Sequence, residues 1–285
     1  MSADVLLLGG TGMFGSVAAK VLRAKFMVAA TSRNPGNELV RFDAAQREAG
    51  LVLLARQLSP NALIVNSIAM LSSDIGPDES AREQAQFVNG TFPHCVARVA
   101  AEFGLRVVQI STDAVFGASA GVVTEADPTG PDDVYGATKA AGELLDDHCL
   151  TIRCSIVGPP SDDHKRGLWA WVMGQAPNAK VRGFKNQLWC GVTTRELADI
   201  CAALVNPRLF AEARARAAIH HFAPNPVLSK FELVRMLARL LRPDVSVEEA
   251  CADRSIDRVL QSKISFIDHL APRYANWNDA LAAAA

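Results

Sequence analysis

The chain has 285 residues, 49% of them hydrophobic and 21% charged, with 29 Lys and Arg against 30 Asp and Glu. That length allows one large domain or two unequal ones with a sizeable core, and the balanced charge argues against a nucleic acid or a membrane surface as the main partner. No apolar run approaches the ~20 residues of a spanning helix, and the N-terminal apolar stretch runs straight into glycines, too short for a signal peptide.

Asp4 to Leu8 is an apolar run of the length of a buried strand. Gly9-Gly10-Thr11-Gly12-Met13-Phe14-Gly15 follows, and Ser16 to Ala24 reads as a helix. Strand, glycine turn and helix form the context of a dinucleotide site. Gly9 permits the tight turn, Gly12 lets backbone N–H groups approach a pyrophosphate, and Gly15 lets the helix pack close to the strand. Thr11, Met13 and Phe14 belong to the same expected cofactor site, and the helix N-terminus favours the anion. Phe26 to Thr31 reads as a second strand ending in Ser32-Arg33-Asn34. An NAD site places an acid near this point for the ribose 2′-hydroxyl. Here Ser32 and Arg33 stand instead, and a planar guanidinium suits a 2′-phosphate. NADP(H) is therefore the preferred cofactor, with NAD(H) still able to bind.

Leu39 to Asp43 reads as a third short strand, with Asp43 placed to reach the adenine, and Ala44 to Leu58 as a helix. Ala62 to Asn66 is almost purely apolar, as parallel strands covered on both faces are. It puts Asn66 and Ser67 on the ligand edge of the sheet. A polar loop from Met70 to Ser80 leads into a long helix ending near Phe103, with Asn89 among apolar neighbours. Asn89 there either bonds nearby backbone or serves the site. Arg106 to Ile110 is a fifth strand delivering Ser111 and Thr112.

Next comes Val134-Tyr135-Gly136-Ala137-Thr138-Lys139. On a helix Tyr135 and Lys139 share a face. Tyr is a weak acid, with an ordinary pKa of about 10, and a nearby ammonium pulls that value down. With a hydroxyl from Ser111 or Thr112 to hold a substrate oxygen, the group forms a proton-transfer site for a carbonyl–alcohol pair. Tyr and Lys at this spacing occur on many solvated helix faces, so the pair takes its meaning from the cofactor turn before it. Leu150 to Ile156 closes the series as a sixth strand. Strands alternating with helices indicate an α/β fold, a doubly wound parallel sheet of the Rossmann type.

The texture changes after Gly158-Pro159-Pro160, so residues 1–157 read as the dinucleotide-binding domain and 158–285 as a smaller α/β substrate region, with segments near 188–222 able to return to the first. Arg166 to Gly174 reads as a short helix with Trp169 and Trp171. Val181 to Thr194 follows, and Thr194 is expected to cap a helix from Arg195 to Leu204. Ala217 to Ala223 is strand-like, and its adjacent His220 and His221 point to opposite faces, an unsuitable metal pair. Ser229 is expected to cap an amphipathic helix to about Leu241, and the last forty residues read as mixed loop and short helix. The six cysteines, at 95, 149, 154, 190, 201 and 251, form no C-x-x-C pair. Buried reduced thiols, no metal site and a cytoplasmic location are expected.

These pieces together resemble the extended short-chain dehydrogenase/reductase superfamily, and within it the dTDP-4-dehydrorhamnose reductase (RmlD-like) branch. The motifs are the glycine turn, the Asn89 helix, Ser111-Thr112-Asp113-Ala114-Val115-Phe116-Gly117, and Tyr135-Gly136-Ala137-Thr138-Lys139 with Gly142-Glu143. Weaker echoes are Leu188-Trp189-Cys190-Gly191-Val192-Thr193-Thr194, Ser229-Lys230-Phe231-Glu232-Leu233 and Asp253-Arg254-Ser255. The resemblance implies an NADPH-dependent oxidoreductase of dTDP-rhamnose biosynthesis, in which hydride goes to the ketone carbon of a nucleotide-linked 4-keto-6-deoxysugar. Tyr135 would protonate the forming alkoxide. Lys139 would hold the nicotinamide ribose and lower the Tyr135 pKa, and Thr112 would bond the reacting oxygen. Ser111, Val115, Phe116 and Trp189 would contact substrate. Ala114 stands where dehydratases of the superfamily carry the Glu of an acid pair, so reduction is implied over dehydration. Ile156 stands where the branch usually has a Trp. Two other readings are a nucleotide-sugar epimerase with tightly bound NAD, against which Arg33 argues, and a non-catalytic NADP-binding subunit, against which the intact Thr112, Tyr135 and Lys139 argue. The expected partners are a nucleotide sugar and, for a homodimer, a second copy of the chain, with no nucleic acid and no membrane.

Overall fold

The structure is a computed structural model that describes residues 2–34, 36, 39–161, 165–272 and 274–285. In chain order β1 (Ala3–Leu8), α1 (Met13–Arg23), β2 (Val28–Ser32), β3 (Val40–Arg41), α2 (Arg47–Ala55) and β4 (Leu58–Asn66) form the first half of the sheet. Next come α3 (Glu79–Ala85), α4 (Phe92–Glu102), β5 (Arg106–Thr112), β6 (Gly121–Val123), α5 (Val134–Ala141), β7 (Cys149–Cys154) and β8 (Ile156–Val157). The remainder comprises α6 (Gly167–Met173), β9 (Lys180–Phe184), β10 (Leu188–Trp189), β11 (Val192–Thr193), α7 (Thr194–Leu204), α8 (Pro207–Arg216) and β12 (Ile219–His221). The last elements are β13 (Leu228–Ser229), α9 (Lys230–Leu241), β14 (Ser246–Ala250), β15 (Arg258–Leu260) and α10 (Trp277–Ala284).

Among the described residues, seven strands form one sheet in the order β12-β7-β5-β4-β1-β2-β3. All of its pairings are parallel. The chain turns back at β1, and the crevice between β1 and β4 is the switch point where such sheets bind ligands. Side chains of a strand alternate between faces, and β1 shows it. Val5 and Leu7 join α1 and α7 in one core, whereas Leu6 and Leu8 join α2 and α4 in the other. A further core of Trp169, Trp189, Trp277, Val181, Leu233 and Leu237 lies under α6, α9 and α10. β12 pairs with β7, so this segment of the C-terminal half lies in the main sheet.

Several boundaries differ from the sequence expectations for physical reasons. β4 begins at Leu58, inside the expected helix, because the strand is irregular. Its register against β1 shifts after Leu58, and Asn61 takes a φ of 59° in the bulge. The long helix ending near Phe103 is broken into α3, a π-turn over Gln86–Thr91, and α4. Pro93 lacks the N–H that would reach the Asn89 carbonyl four residues back, which relaxes the ladder at Asn89. The cap of α7 is Thr193, not Thr194: its hydroxyl and Glu196 form a reciprocal capping box, while the Thr194 hydroxyl is buried without a partner. Ser229 caps α9 as expected, through the same box with Glu232. Segments read as loop hold β6 paired with β15, and β14 paired with β9. The helix α8 was also unread, although Asn206 caps it and Pro207 opens it. Among the described residues no helix is long and apolar enough to cross a membrane.

Candidate active site

The glycine turn closes tightly. Gly9 takes a φ of 89°, and its backbone N–H donates to Thr31 Oγ1 at 3.2 Å. A Cβ on Gly15 would lie 2.0 Å from the Gly9 carbonyl oxygen, so α1 can start against the turn only with glycine at this position. α1 accordingly begins at Met13, with Gly12 as an extended N-cap. Phe14 is buried in the core, and Met13 is half-buried at the turn.

A cavity of about 520 Å3 opens from this turn along the C-terminal ends of β1, β2 and β4. Gly9, Thr11, Gly12, Ser32, Arg33 and Asp43 line it, as does Ser67. Thr11 and Ser32 bring their hydroxyls within 3.5 Å of each other, with Arg33 exposed beside them. Ser67 donates to the Leu8 carbonyl at 2.7 Å, fixing the crevice between β1 and β4. Asn66 behaves differently. It is fully buried, donates to Gln109 Oε1 at 2.7 Å and accepts from Ile68 N, so it shapes the strand end from within. Asp74 and Arg166 also line the cavity, and sequence reasoning singled out neither.

β5 delivers Thr112 at its C-terminal end. Its hydroxyl donates to Asp113 Oδ1 at 3.1 Å and accepts from Ala114 N at 3.2 Å, beside the Tyr135 phenol. α5 starts at the Asp133 cap and packs close to two neighbours. A Cβ on Gly136 would come 2.1 Å from the Ala114 carbonyl oxygen, and one on Gly142 would come 1.9 Å from that of Asn89. The Asn89 side chain takes both backbone groups of Met70, at 2.8 and 2.9 Å, and bonds Thr138 at 3.1 Å. It ties the loop after β4 to α5. Ser111 is committed elsewhere: its hydroxyl donates to Glu143 Oε1 at 2.7 Å.

The electrostatics depart from the sequence expectation. Burial pushes the Tyr135 phenol up to about 12, the neighbouring Thr112 hydroxyl pulls against it, and the Asp113 charge pushes it further up. Lys139 is buried, and its ammonium donates to the Ile110 carbonyl at 2.7 Å, turned into the strand. Burial lowers the Lys139 pKa to about 8, against a smaller upward pull from Glu143. At Lys139 desolvation therefore outweighs charge–charge attraction, at Tyr135 burial and the nearby carboxylates act in the same direction, and the phenol keeps its proton at neutral pH.

A stability prediction follows from Lys139. The unfolded chain holds this proton up to about 10.5 and the folded chain only up to about 8. Between those values the unfolded state binds more protons, so this group makes stability rise with pH. Below pH 8 the buried ammonium costs about 3 kcal/mol at 1.36 kcal/mol per unit. The raised thiols of Cys149, Cys154, Cys190 and Cys201, with Tyr135, act oppositely above pH 9, since the unfolded chain ionises them first. The measurement is therefore a difference. Urea unfolding of wild type and Lys139→Met is expected to show the variant gaining relative stability below pH 8, with the gap closing by pH 10.5. A gap independent of pH would rule out a buried ammonium.

Three expected substrate residues are placed in the core. Val115 is fully buried, and Phe116 is buried between the Arg153 guanidinium, 5.0 Å from its ring centre, and His221. Trp189 packs on Trp277 at 5.0 Å, and its indole N–H donates to Ser155. Their side chains pack against protein. A second cavity, of about 630 Å3, is lined by Trp171, Lys180, Arg182, Phe184 and Lys230. Lys230 lies within reach of the charges of Asp113 and Arg258, and Arg258 pairs with Asp113 at 3.2 Å just after β5. His220 and His221 do point apart, to the carbonyls of Ala213 and Ala217 and to Arg153 respectively. Among the described residues no group of three or more His, Cys, Asp or Glu could hold a metal ion.

A family model described as the RmlD substrate binding domain matches residues 3–269. The dTDP-4-dehydrorhamnose reductase of Salmonella typhimurium LT2 is 34% identical over 156 residues, 51% of this chain and 48% of that protein. That of Mycobacterium tuberculosis H37Rv is 27% identical over 247 residues, covering 78% and 75%. The chain spans about half the length of the enterobacterial relatives it matches. A hypothetical dTDP-4-dehydrorhamnose reductase from Sulfolobus tokodaii superposes with a TM-score of 0.78 at 22% identity, covering 99% of both chains. The Bacillus anthracis enzyme in complex with NADP gives 0.77 at 17% identity, covering 100% of this chain and 99% of that one. The two structures share the fold.

Proposed function

The chain belongs to the RmlD substrate binding domain family, and from that premise we propose that it is an NADPH-dependent reductase of a nucleotide-linked 4-keto-6-deoxysugar. The observation that carries the reading is the placement of Thr112 at the end of β5 beside Tyr135 and Lys139 on α5, which Lys139 ties to β5 through the Ile110 carbonyl, on the same sheet whose β1 leads into the glycine turn.

The residues present fit a dinucleotide. The left-handed Gly9 and the contact of Gly15 with Gly9 leave the open side of the turn to backbone N–H groups and the α1 N-terminus. Ser32 and Arg33 at the end of β2 suit an adenosine 2′-phosphate, and Asp43, which lines the same cavity, suits the adenine. Bound there, the reduced nicotinamide supplies hydride to the ketone carbon. Tyr135, protonated at neutral pH, gives its phenolic proton to the oxygen that becomes the alcohol, and Thr112 holds that oxygen in place. Lys139 supplies positive charge beneath the site from its anchor on Ile110. The aromatic walls of the second cavity suit a nucleobase, and Lys180, Arg182 and Lys230 suit its diphosphate.

The test is oxidation of NADPH and NADH against a panel of nucleotide-linked 4-ketosugars, with wild type and Arg33→Ala. Turnover is expected with NADPH and a dTDP-linked 4-keto-6-deoxysugar. A charge-assisted bond to the 2′-phosphate is worth ~1.5–3 kcal/mol, roughly ten- to a hundredfold in affinity. Arg33→Ala is expected to remove most of that preference. Absence of turnover with every 4-ketosugar would reject the substrate class, and an unchanged preference in the variant would place cofactor choice elsewhere.

A further inference from the structure

Two described residues of the C-terminal half meet the glycine turn and the start of α1. Ser161 Oγ donates to the Thr11 carbonyl at 2.5 Å, and a Cβ on Gly167 would come 3.4 Å from Met13 Sδ. Arg166 lies just ahead of α6, between these two contacts. Its guanidinium pairs with the carboxylate of Asp74, which comes from the short turn Ser72–Asp74 after β4. Both residues line the same cavity as Gly9, Thr11 and Gly12. The ion pair therefore joins two walls of the groove beside the pyrophosphate end of the turn.

The cavity holds two arginines and two aspartates among its described lining residues. Arg33 stands at the end of β2, on the adenosine side, and the Met13 contact places Arg166 near the start of α1. The side chains of Arg166 and Asp74 are 56% and 32% exposed, so their pair is solvated, weak and exchangeable. A pyrophosphate offers two negative charges and several oxygens to a planar guanidinium. It also meets the backbone N–H groups of the turn, which Asp74 does not. We infer that Arg166 binds the cofactor pyrophosphate and that Asp74 is the internal anion it exchanges for that pyrophosphate. The inference rests on the dinucleotide reading above and adds the residues that grip the linkage common to NADPH and NADH.

Equilibrium titration of NADPH and of NADH, followed by nicotinamide fluorescence at low ionic strength, separates the possibilities. Arg166→Gln is expected to weaken both dinucleotides by the same factor, ~10–100-fold. Arg33→Ala weakens NADPH alone. Asp74→Asn tightens both, and this gain shrinks toward nothing in the Arg166→Gln background, where the carboxylate has no guanidinium to hold. Equal binding by wild type and Arg166→Gln overturns the inference, as does a loss confined to NADPH, which would assign Arg166 to the 2′-phosphate. An Asp74→Asn gain that persists in full without Arg166 overturns the exchange. A wild type that binds neither dinucleotide removes the cofactor reading and this inference together.

Discussion

Tyr135→Phe is expected to lower kcat by ~10²–10⁴ while leaving dinucleotide affinity nearly unchanged. The substitution deletes one hydroxyl. The ring stays on α5, whose start is fixed by the Asp133 cap and the close approach of Gly136 to Ala114. What disappears is the proton donor held against Thr112. Burial favours the neutral phenol, so wild-type activity in the reducing direction should persist toward alkaline pH instead of falling near 7. Steady-state rates and a cofactor titration on the same preparation read both quantities. A variant with wild-type kcat would remove Tyr135 from the proton transfer, and one that also lost the dinucleotide would make the residue a binding group.

How much of this was legible in the sequence depended on where each residue's partners lie. β1 was readable because it is covered on both faces and needs a continuous apolar run, and the glycine turn because its constraints are local. The placement of Tyr135 and Lys139 one turn apart on α5 was readable from helical spacing. Their ionisation was not, since burial depends on how α5 packs against β5. β14 reads Ser-Val-Glu-Glu-Ala, half-exposed and charged, and it is a strand only because β9 offers its edge. β6 and β15 likewise exist through each other, far apart in the chain. The packing of Trp189 on Trp277 has no local signal, since the two lie far apart in the chain. Asp74 and Arg166 have no periodic signal and lie far apart in the chain, and only the tertiary structure brings them together. The Asn-Pro start of α8, by contrast, was a local signal present in the sequence and passed over.

Arg153→Met is expected to destabilise the protein by ~3–5 kcal/mol, the usual result of stranding one member of a buried ion pair. Arg153 and Glu143 are 4% and 7% exposed and meet in a two-pronged contact, with Nε to Oε1 at 2.8 Å and Nη2 to Oε2 at 2.7 Å. Glu143 also accepts from Ser111, next to Thr112. The remaining guanidinium nitrogen meets His221 Nε2 at 3.3 Å, and His221 Nδ1 bonds the Gln261 carbonyl at 3.1 Å. A guanidinium only donates and a carbonyl only accepts, so the imidazole is neutral with its proton on Nδ1. Burial, its main cause, holds the His221 pKa below the ordinary value, in keeping with that state. The chain of contacts links the segment after β15 to the strand that presents the reacting groups. Loss of Arg153 leaves a buried carboxylate with one hydroxyl to solvate it. Pairing the change with Glu143→Gln removes that charge, so the double variant should recover most of the lost stability in urea unfolding, because two neutral side chains need no counter-ion. A double variant costing the sum of its singles would mean that the two residues act independently and that the contact does not hold the end of β5. A single Arg153→Met costing less than ~1 kcal/mol would lead to the same conclusion, being the scale of an exposed pair.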